Sequence, residues 1–428
     1  MKSIPFLLTG ATLLLSISSG AHADETTLPL SLMDAIREAE KANPGLKSVQ
    51  YQEQAAGEQV RAARSGYLPE LDVAAIAGGG NVGAVALLGI DPNLGASQRI
   101  GEGGGLILKQ TLWDFGRTGS AVETAKLNKE LQSRFFDISQ AEVDIQVLRS
   151  YLDCAFLKSE AADARFISEQ ARIIAKETNR FVVSGQRSVV ERYLVEQQQA
   201  EADRINEALL TKSQLVEKRL AIELGRNENQ SVTCGDLYSS QVDFKSIIGR
   251  TWNNPVLQAG EVQKRVAQSK LEQVKAEERP SLIGVVNGGY FNNDLLARSW
   301  NYSAGAGITF PLFTGFKLQA EVARSSAELG ARETDYELTR QNVDDTNNRY
   351  DEQIRSTEVA LRSLAQEMDL AKKAFDLARK RYFSLQGTMV DLREALRNLN
   401  HVTSAMNEAR RNYLVNQGSQ ALFNGVRP

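Results

Sequence analysis

The sequence predicts a mainly α-helical fold with a small β part, in which one structural unit occurs twice. The pair Asn43-Pro44 is repeated as Asn254-Pro255, and in each half a second proline follows 25 residues after the first. Each half also contains a long stretch of hydrophobic residues spaced by seven, which is typical of coiled coils. Between the prolines and these stretches lie segments of alternating apolar and small residues, which indicate strands.

Each Asn-Pro pair predicts the start of a helix. An asparagine side chain accepts hydrogen bonds from the free N–H groups of the first turn, and proline fits the first helical position. We expect each helix to continue for about 20 residues, until Pro69 or Pro280 ends it. Each half therefore begins with a helix that a proline separates from the next element.

Four strands follow the prolines. They are predicted at 69–79, 103–113, 281–291 and 302–312. The last alternates most clearly, with Tyr302, Ala304, Ala306, Ile308, Phe310 and Leu312 on one face. Alternation over about ten residues is typical of membrane-spanning strands, and aromatic residues near strand ends suit a membrane interface. An ordinary soluble β-sheet is the alternative interpretation.

Two long helices follow the strand pairs. In the second half, Val322, Leu329, Tyr336, Val343 and Tyr350 are spaced by seven, and the spacing resumes after a four-residue stutter. Such a pattern predicts a coiled-coil seam. In the first half the helix is expected from about 116 to 181, a length of roughly 100 Å at 1.5 Å per residue.

Short breaks then reverse the chain in both halves. They lie at 184–188 and 384–388, and return helices are predicted over 189–224 and 389–417. Each predicted half is thus one helix, two strands and a long helical hairpin.

The domain boundaries follow from these elements. Residues 1–23 have a basic start, an apolar run and a small-residue cleavage site, which predicts a secretory signal peptide. The first structural repeat is placed at 24–224, a polar connector (the equatorial region) at 225–250, and the second repeat with its C-terminal tail at 251–428.

Composition disfavours several functions. The net charge is −3, so no basic excess exists to neutralise phosphates, and nucleic acid is not an expected partner. The only two histidines are His22, in the predicted signal peptide, and His401, in a polar helical stretch. With no cluster of metal ligands and no nucleophile motif, the sequence predicts neither an enzyme nor a bound cofactor.

The order of these motifs resembles the TolC family of outer-membrane efflux and secretion channels over essentially the whole mature length. The resemblance is carried by the duplicated Asn-Pro helix, by "YLPEL" and "ERPSL" at the strand starts, by "LWDFGR" (112–117) with its echo "LFTGFK" (312–317), by "TMVDLREAL" (388–396) and by "ARRNYLVNQ" (409–417). It implies a homotrimer in which each protomer gives four strands to a twelve-stranded outer-membrane β-barrel, in contact with lipid. Coiled-coil hairpins would continue the channel as a periplasmic α-barrel.

The resemblance also implies a function. The chain would be the passive exit duct of a tripartite export system, working with a periplasmic adaptor (membrane fusion) protein and an inner-membrane ABC or proton-driven transporter. Residue 24 is Asp, whereas many drug and metal efflux members resemble lipoproteins at this point, so type I protein secretion is the expected task. A small-molecule or multidrug efflux duct is the alternative. A periplasmic coiled-coil structural or adaptor protein is a more remote alternative, which would not explain the strands.

Two acids are expected to form the entrance constriction. Asp391 and Glu394 stand three residues apart beyond the second break, so they share one helix face. The segment "VDLRE" (390–394) matches the entrance segment of the family, which has acids at both positions. In the first repeat Glu191 has no second acid three residues further on, because residue 194 is Leu.

A candidate gate lies beside this entrance. Tyr382 matches the gate tyrosine of the family, but the arginine that partners it there is replaced by Gly387. Arg187 and Arg393 are candidate substitutes, and Glu191 completes the predicted set.

The two hairpin tips are candidate docking sites for the adaptor, because the tips of the family intermesh with adaptor hairpins. Simple connection of helices is the alternative role. The tip residues are Gly185, Gln186, Arg187, Ser188, Leu385, Gln386, Gly387 and Thr388.

The two cysteines, Cys154 and Cys234, are predicted to form a disulfide, because the periplasm is oxidising and no other cysteine exists. Two free thiols are the alternative.

Overall fold

The protein consists of two copies of one structural unit. The computed structural model describes residues 30–80, 99–226, 232–235, 254–293 and 299–426. The predicted signal peptide (1–23) and most of the predicted connector (225–250) lie outside the described residues. The mainly helical fold with a small β part is confirmed, and each repeat contains a helix, two strands and a long helical hairpin.

The helices at the start of each repeat form as their caps predict. Helix α1 spans Leu32–Ala42, α2 spans Pro44–Arg64 and α5 spans Pro255–Ala276. The Oδ1 atom of Asn43 accepts hydrogen bonds from the N–H groups of Gly45 and Leu46, and Asn254 caps α5 in the same way. Helix α1 was not predicted; it packs its buried residues against the first hairpin.

The four predicted strands form one antiparallel sheet in chain order. Strand β1 spans Glu70–Gly80, β2 Arg99–Trp113, β3 Ser281–Asn293 and β4 Ser299–Thr309. Strand β4 ends before the predicted residue 312, since Pro311 has no N–H group to donate to the ladder. Strands β1 and β4 are the two edges of the sheet.

The sheet has one exposed apolar face. Directly paired residues of an antiparallel sheet lie on the same face, and the pairs Leu71–Leu108, Leu108–Val286 and Val286–Ala304 extend across all four strands. The exposed side chains of this face include Leu71, Val73, Leu106, Val286, Trp300, Tyr302 and Ile308. The opposite face carries polar groups, including the Lys109–Asp72 ion pair.

Two hairpins of equal dimensions follow the strand pairs. Helix α3 spans Arg117–Val183 and α6 spans Lys317–Phe383, each 67 residues, or about 100 Å at 1.5 Å per residue. The return helices α4 (Val189–Glu223) and α7 (Met389–Phe423) have 35 residues each. Among the described residues, no helix combines the length and hydropathy required to cross a membrane.

The first hairpin packs against the second through α3 and α7, and two hydrophobic cores lie along this contact. The larger core surrounds residues 147–155 of α3, where α1 and the segment 232–235 also pack. The smaller core lies near the tips and includes Ile174, Val195, Phe375 and Tyr382. It positions the residues of the candidate gate.

Candidate functional site

The two hairpin tips share one turn geometry. In the first tip, the N–H groups of Gln186 and Arg187 both donate to the carbonyl of Phe181, and the second tip repeats this pattern 200 residues later. Ser188 and Thr388 then cap the return helices. Both tips are therefore ordered turns held by backbone hydrogen bonds.

The left-handed residue differs between the tips. Gly185 has a φ of 74° in the first tip, and Leu385 occupies the same position of the second with a φ of 64°. In the second turn the residue with positive φ is therefore Leu385 and not Gly387. Gly387 instead fits a crowded position, where a Cβ atom would lie 3.0 Å from the backbone nitrogen of Tyr382.

Tyr382 lies in the contact between the two hairpins, close to their tips. Its side chain is fully buried, and its hydroxyl shares a 3.0 Å hydrogen bond with Oγ1 of Thr178 on α3. The hydroxyl also donates to Oε2 of Glu191 on α4 at 3.1 Å. Burial raises the pKa of Tyr382 above its usual value, so the phenol is neutral at physiological pH.

Arg187 covers the other side of this tyrosine. Its Cζ atom lies 4.6 Å from the centroid of the Tyr382 ring, a distance suited to a cation–π interaction. Its Nη2 atom donates to the carbonyl oxygen of Gly387 at 2.7 Å, and Nη1 lies 3.7 Å from Oε1 of Glu191. Of the two candidate arginines, the structure places Arg187 on Tyr382, whereas Arg393 is exposed on α7.

The two predicted entrance acids line a groove between α6 and α7. Asp391 and Glu394 are both exposed and share this groove, of about 370 Å³, with Arg381 and Gly387. Glu394 also forms a 2.9 Å ion pair with Arg397. The common face expected from their spacing is present, and their role at an entrance stays a prediction.

A disulfide joins Cys154 of α3 to Cys234 in the segment 232–235. The same segment is held by hydrogen bonds, since Nζ of Lys158 donates to the carbonyl of Cys234 and the N–H of Gly235 donates to the Tyr151 hydroxyl. Tyr151 in turn donates to the carbonyl of Leu30. This arrangement attaches both the N-terminal segment and part of the predicted connector to α3.

Comparison with known protein families identifies the chain. The sequence model described as outer membrane efflux protein matches residues 35–222 and 252–422, which include both repeats. The chain belongs to the outer membrane efflux protein family. Its members are transport channels, and the TolC-like resemblance predicted from the motifs is confirmed.

Solved structures of similar fold support this assignment to the family. VceC from Vibrio cholerae superposes with a TM-score of 0.77 at 16% identity, covering 92% of this chain and 96% of that chain. CmeC from Campylobacter jejuni gives a TM-score of 0.74 at 16% identity, with 98% and 94% covered. MtrE from Neisseria gonorrhoeae, in its open state, gives 0.76 at 18% identity, with 92% and 89% covered. No curated protein sequence matches the chain.

Sequence reasoning missed several residues that join the two hairpins. Thr178 was not singled out, although it is fully buried against Tyr382. Farther from the tips, Arg411 of α7 pairs with Asp153, and Asn407 donates to Glu160 and Asp163 of α3. These contacts join residues more than 200 positions apart, so no local spacing could have revealed them.

Proposed function

We propose that this protein is a passive exit duct across the outer membrane, formed by three copies of the chain. The observation that carries the proposal is the four-stranded sheet, which has an exposed apolar face and two open edges. Unpaired backbone groups in lipid cost several kcal/mol each. Four strands are too few to close a sheet on itself, because known membrane barrels start at about eight strands.

The long hairpins supply the periplasmic part of the duct. Each extends about 100 Å, whereas the hydrocarbon core of a bilayer is about 30 Å thick. Three copies would place six hairpins around one axis. The chain would then form a conduit with its sheet in the outer membrane and its tips in the periplasm.

The tips would form the closed end. Tyr382, Thr178, Arg187 and Glu191 join the two hairpins of one protomer and constitute the proposed gate. Asp391 and Glu394, repeated three times, would surround the entrance with carboxylates. Such a ring favours cations and repels itself unless arginines or counterions neutralise it.

The proposed partners are a periplasmic adaptor at the tips, residues 185–188 and 385–388, and an inner-membrane ABC or proton-driven transporter. The expected cargo class remains protein, through type I secretion, with small-molecule efflux as the alternative. Deletion of the gene distinguishes protein secretion from small-molecule efflux. Loss of one secreted protein with unchanged drug resistance supports secretion, and drug sensitivity with unchanged secretion supports efflux.

The channel itself is tested by purification from outer membranes, mass measurement in detergent and conductance in planar bilayers. We expect a trimer that conducts ions. A conducting monomer contradicts the trimeric assembly. A soluble periplasmic protein without conductance contradicts the channel and favours the structural or adaptor alternative.

A further inference from the structure

The disulfide lies beside an acidic side chain that has no part in the proposed gate or entrance. Cys154 on α3 and Cys234 in the segment 232–235 are both almost fully buried. A carboxylate oxygen of Glu217, on α4, lies within 4.8 Å of both sulfur atoms. Three groups that can bind a metal ion therefore meet where α3, α4 and this segment pack together.

The packing of α4 places Glu217 at the edge of the larger hydrophobic core. Leu220 and Leu224 of this helix are fully buried in that core. Glu217 precedes Leu220 by three residues, so the two side chains share one helix face. The Glu217 side chain is itself only half-buried. An ion in the solvent can therefore reach the sulfur atoms past this carboxylate.

The segment that carries Cys234 is held against α3 by more than the disulfide. The N–H of Leu30 donates to the carbonyl of Thr233 at 2.9 Å. The Nζ atom of Lys158 on α3 donates to the carbonyl of Cys234 at 2.8 Å, and Val232 is buried in the larger core. None of these contacts involves a sulfur atom, so they keep Cys234 beside α3 after the disulfide is reduced.

The charges around the sulfur atoms differ between the two redox states. The ammonium of Lys158 interacts electrostatically with the carboxylate of Glu217, and these two charges balance in the oxidised protein. Two thiolates in the same place add two negative charges, which are costly to bury unless they are paired. A divalent cation supplies the matching positive charge. The centre thus suits a divalent cation after reduction and not before it.

We propose that the reduced protein binds one Zn²⁺ ion through Cys154, Cys234 and Glu217, an arrangement named here the zinc site. Thiolate sulfur binds Zn²⁺ at about 2.3 Å and carboxylate oxygen at about 2.0–2.2 Å. Tetrahedral ligands at these lengths lie about 3.6–3.8 Å from one another, so small side-chain rotations bring the three atoms into place. A water molecule completes the four ligands.

Loading of the zinc site begins with reduction of the disulfide by a dithiol. The dithiol gives two electrons and two protons to the bond between Cys154 and Cys234, and it becomes a disulfide itself. Two thiols are left in the protein. Zn²⁺ binds them as thiolates, and their two protons pass to the solvent.

The ion would replace the disulfide as a cross-link. The disulfide joins α3 to the segment 232–235, whereas the ion would also join α4 through Glu217. The attachment of this segment to the first hairpin would therefore persist under reducing conditions.

The test compares the zinc content of the oxidised and the reduced full-length protein in detergent. The reduced form is prepared with a dithiol, which is removed without oxygen before Zn²⁺ is added. After free zinc is removed, atomic absorption should give one additional ion per chain in the reduced form. Equal zinc content of the two forms overturns the proposal, because adventitious surface sites are common to both.

Cobalt reports which atoms bind the ion. Co²⁺ added to the reduced wild type in place of Zn²⁺ should produce a thiolate-to-cobalt charge-transfer absorption. The oxidised wild type and the Cys154→Ser, Cys234→Ser variant should not show it. The same absorption in the double variant overturns the zinc site.

Substitution of Glu217 tests the third ligand. Glu217→Gln keeps the size of the side chain and leaves both cysteines in place. We expect the reduced variant to bind Zn²⁺ about tenfold or more weakly, since even the outer partners of metal ligands contribute about 10–100-fold. The control is Glu207→Gln, which changes an exposed acid of the same helix. Unchanged affinity in Glu217→Gln, or an equal loss in the control, overturns the assignment of Glu217.

Thermal unfolding tests whether the ion acts as a cross-link. Zn²⁺ should raise the melting temperature of the reduced wild type towards that of the oxidised protein, because an ion that binds only the folded state stabilises it. No rise on binding overturns the role of the ion as a replacement for the disulfide. These measurements do not depend on channel assembly, so their failure leaves the proposed function untouched.

Discussion

The guanidinium of Arg187 lies 4.6 Å from the ring centroid of Tyr382, and the same side chain donates a 2.7 Å hydrogen bond to the carbonyl of Gly387. Arg187 belongs to the first hairpin, and the two residues that it contacts belong to the second. In the family pattern the arginine partner stands where this chain has Gly387. Here the cation comes from the corresponding position of the other repeat, since residues 187 and 387 are 200 positions apart.

Removal of Arg187 should loosen the tips. Cation–π contacts contribute about 0.5–2 kcal/mol, and hydrogen bonds to charged groups contribute about 1.5–3 kcal/mol. We expect Arg187→Ala to raise the open probability in planar bilayers about tenfold or more. Arg180→Ala, which removes an exposed arginine near the end of α3, is the control. Equal open probability in wild type and Arg187→Ala contradicts a role of Arg187 in closure.

The hydroxyl of Tyr382 gives a second test of the gate. Tyr382→Phe leaves Thr178 and Glu191 without this partner, and an unsatisfied buried polar group costs about 1–3 kcal/mol. We expect more frequent opening than in wild type, with the trimer intact. Tyr193→Phe is the matched control, because Tyr193 is 60% exposed. If both variants behave alike, the hydroxyl does not hold the tips together.

Closure should also fail at high pH. Burial, which is the largest cause, raises the pKa of Tyr382 above its ordinary value of 10.0. Because the pKa is higher in the folded state, the neutral phenol stabilises the folded tips fully below pH 10. This stabilisation is lost as the pH rises through the pKa of the folded state. We expect channel opening to increase above pH 10 in wild type, and the step to be absent in Tyr382→Phe. The same step in both proteins would assign it to other groups.

The entrance acids should govern ion selectivity. We expect the Asp391→Asn, Glu394→Gln double variant to lose cation selectivity and block by multivalent cations, because the ring of carboxylates is then neutral. The control is Glu333→Gln with Glu337→Gln, two exposed acids of α6 far from the tips. Reversal potentials in salt gradients measure the selectivity. Identical selectivity of wild type and the double variant places these acids outside the conduction path.

The disulfide should stabilise the attachment of the segment 232–235. The bond closes a loop across 80 positions, and a loop of this length corresponds to about 4–5 kcal/mol in the chain-entropy description. We expect the Cys154→Ser, Cys234→Ser variant to melt at a lower temperature than the oxidised wild type, and reductant to lower only the melting temperature of the wild type. Alkylation of unreduced, unfolded wild type should label neither cysteine, and labelling of both contradicts the bond.

Bulk at the first tip should block docking of the adaptor. A Cβ atom at Gly185 meets nothing within 4 Å, so Gly185→Trp projects into solvent. We expect lost export with intact trimers. Gly185→Ala reports the strain of a positive φ without the bulk, and Gly330→Trp places the same bulk on an open site of α6. Normal export by Gly185→Trp contradicts docking at this tip.

The helices, the strands and their duplication follow from local patterns in the sequence. These patterns involve residues that are close together in the chain, so they predict local structure without knowledge of the fold. Examples are the helix cap Asn254, the alternation of residues 302–308 and the heptads of α6. The same reasoning placed Asp391 and Glu394 on one helix face, because three residues nearly complete a helical turn. Because the sequence contains only two cysteines, Cys154 and Cys234 were also the only possible disulfide pair.

Which residues meet across the hairpins depends instead on tertiary packing. Whether Arg187 or Arg393 reaches Tyr382 depends on how α3 and α4 pack against α6 and α7, and these contacts join positions about 200 residues apart. The groove beside Asp391 likewise forms only where α6 and α7 bring Ala374, Ala378, Gly387 and Ala395 together. Such choices depend on the packing of distant helix faces, which no local spacing in the sequence records.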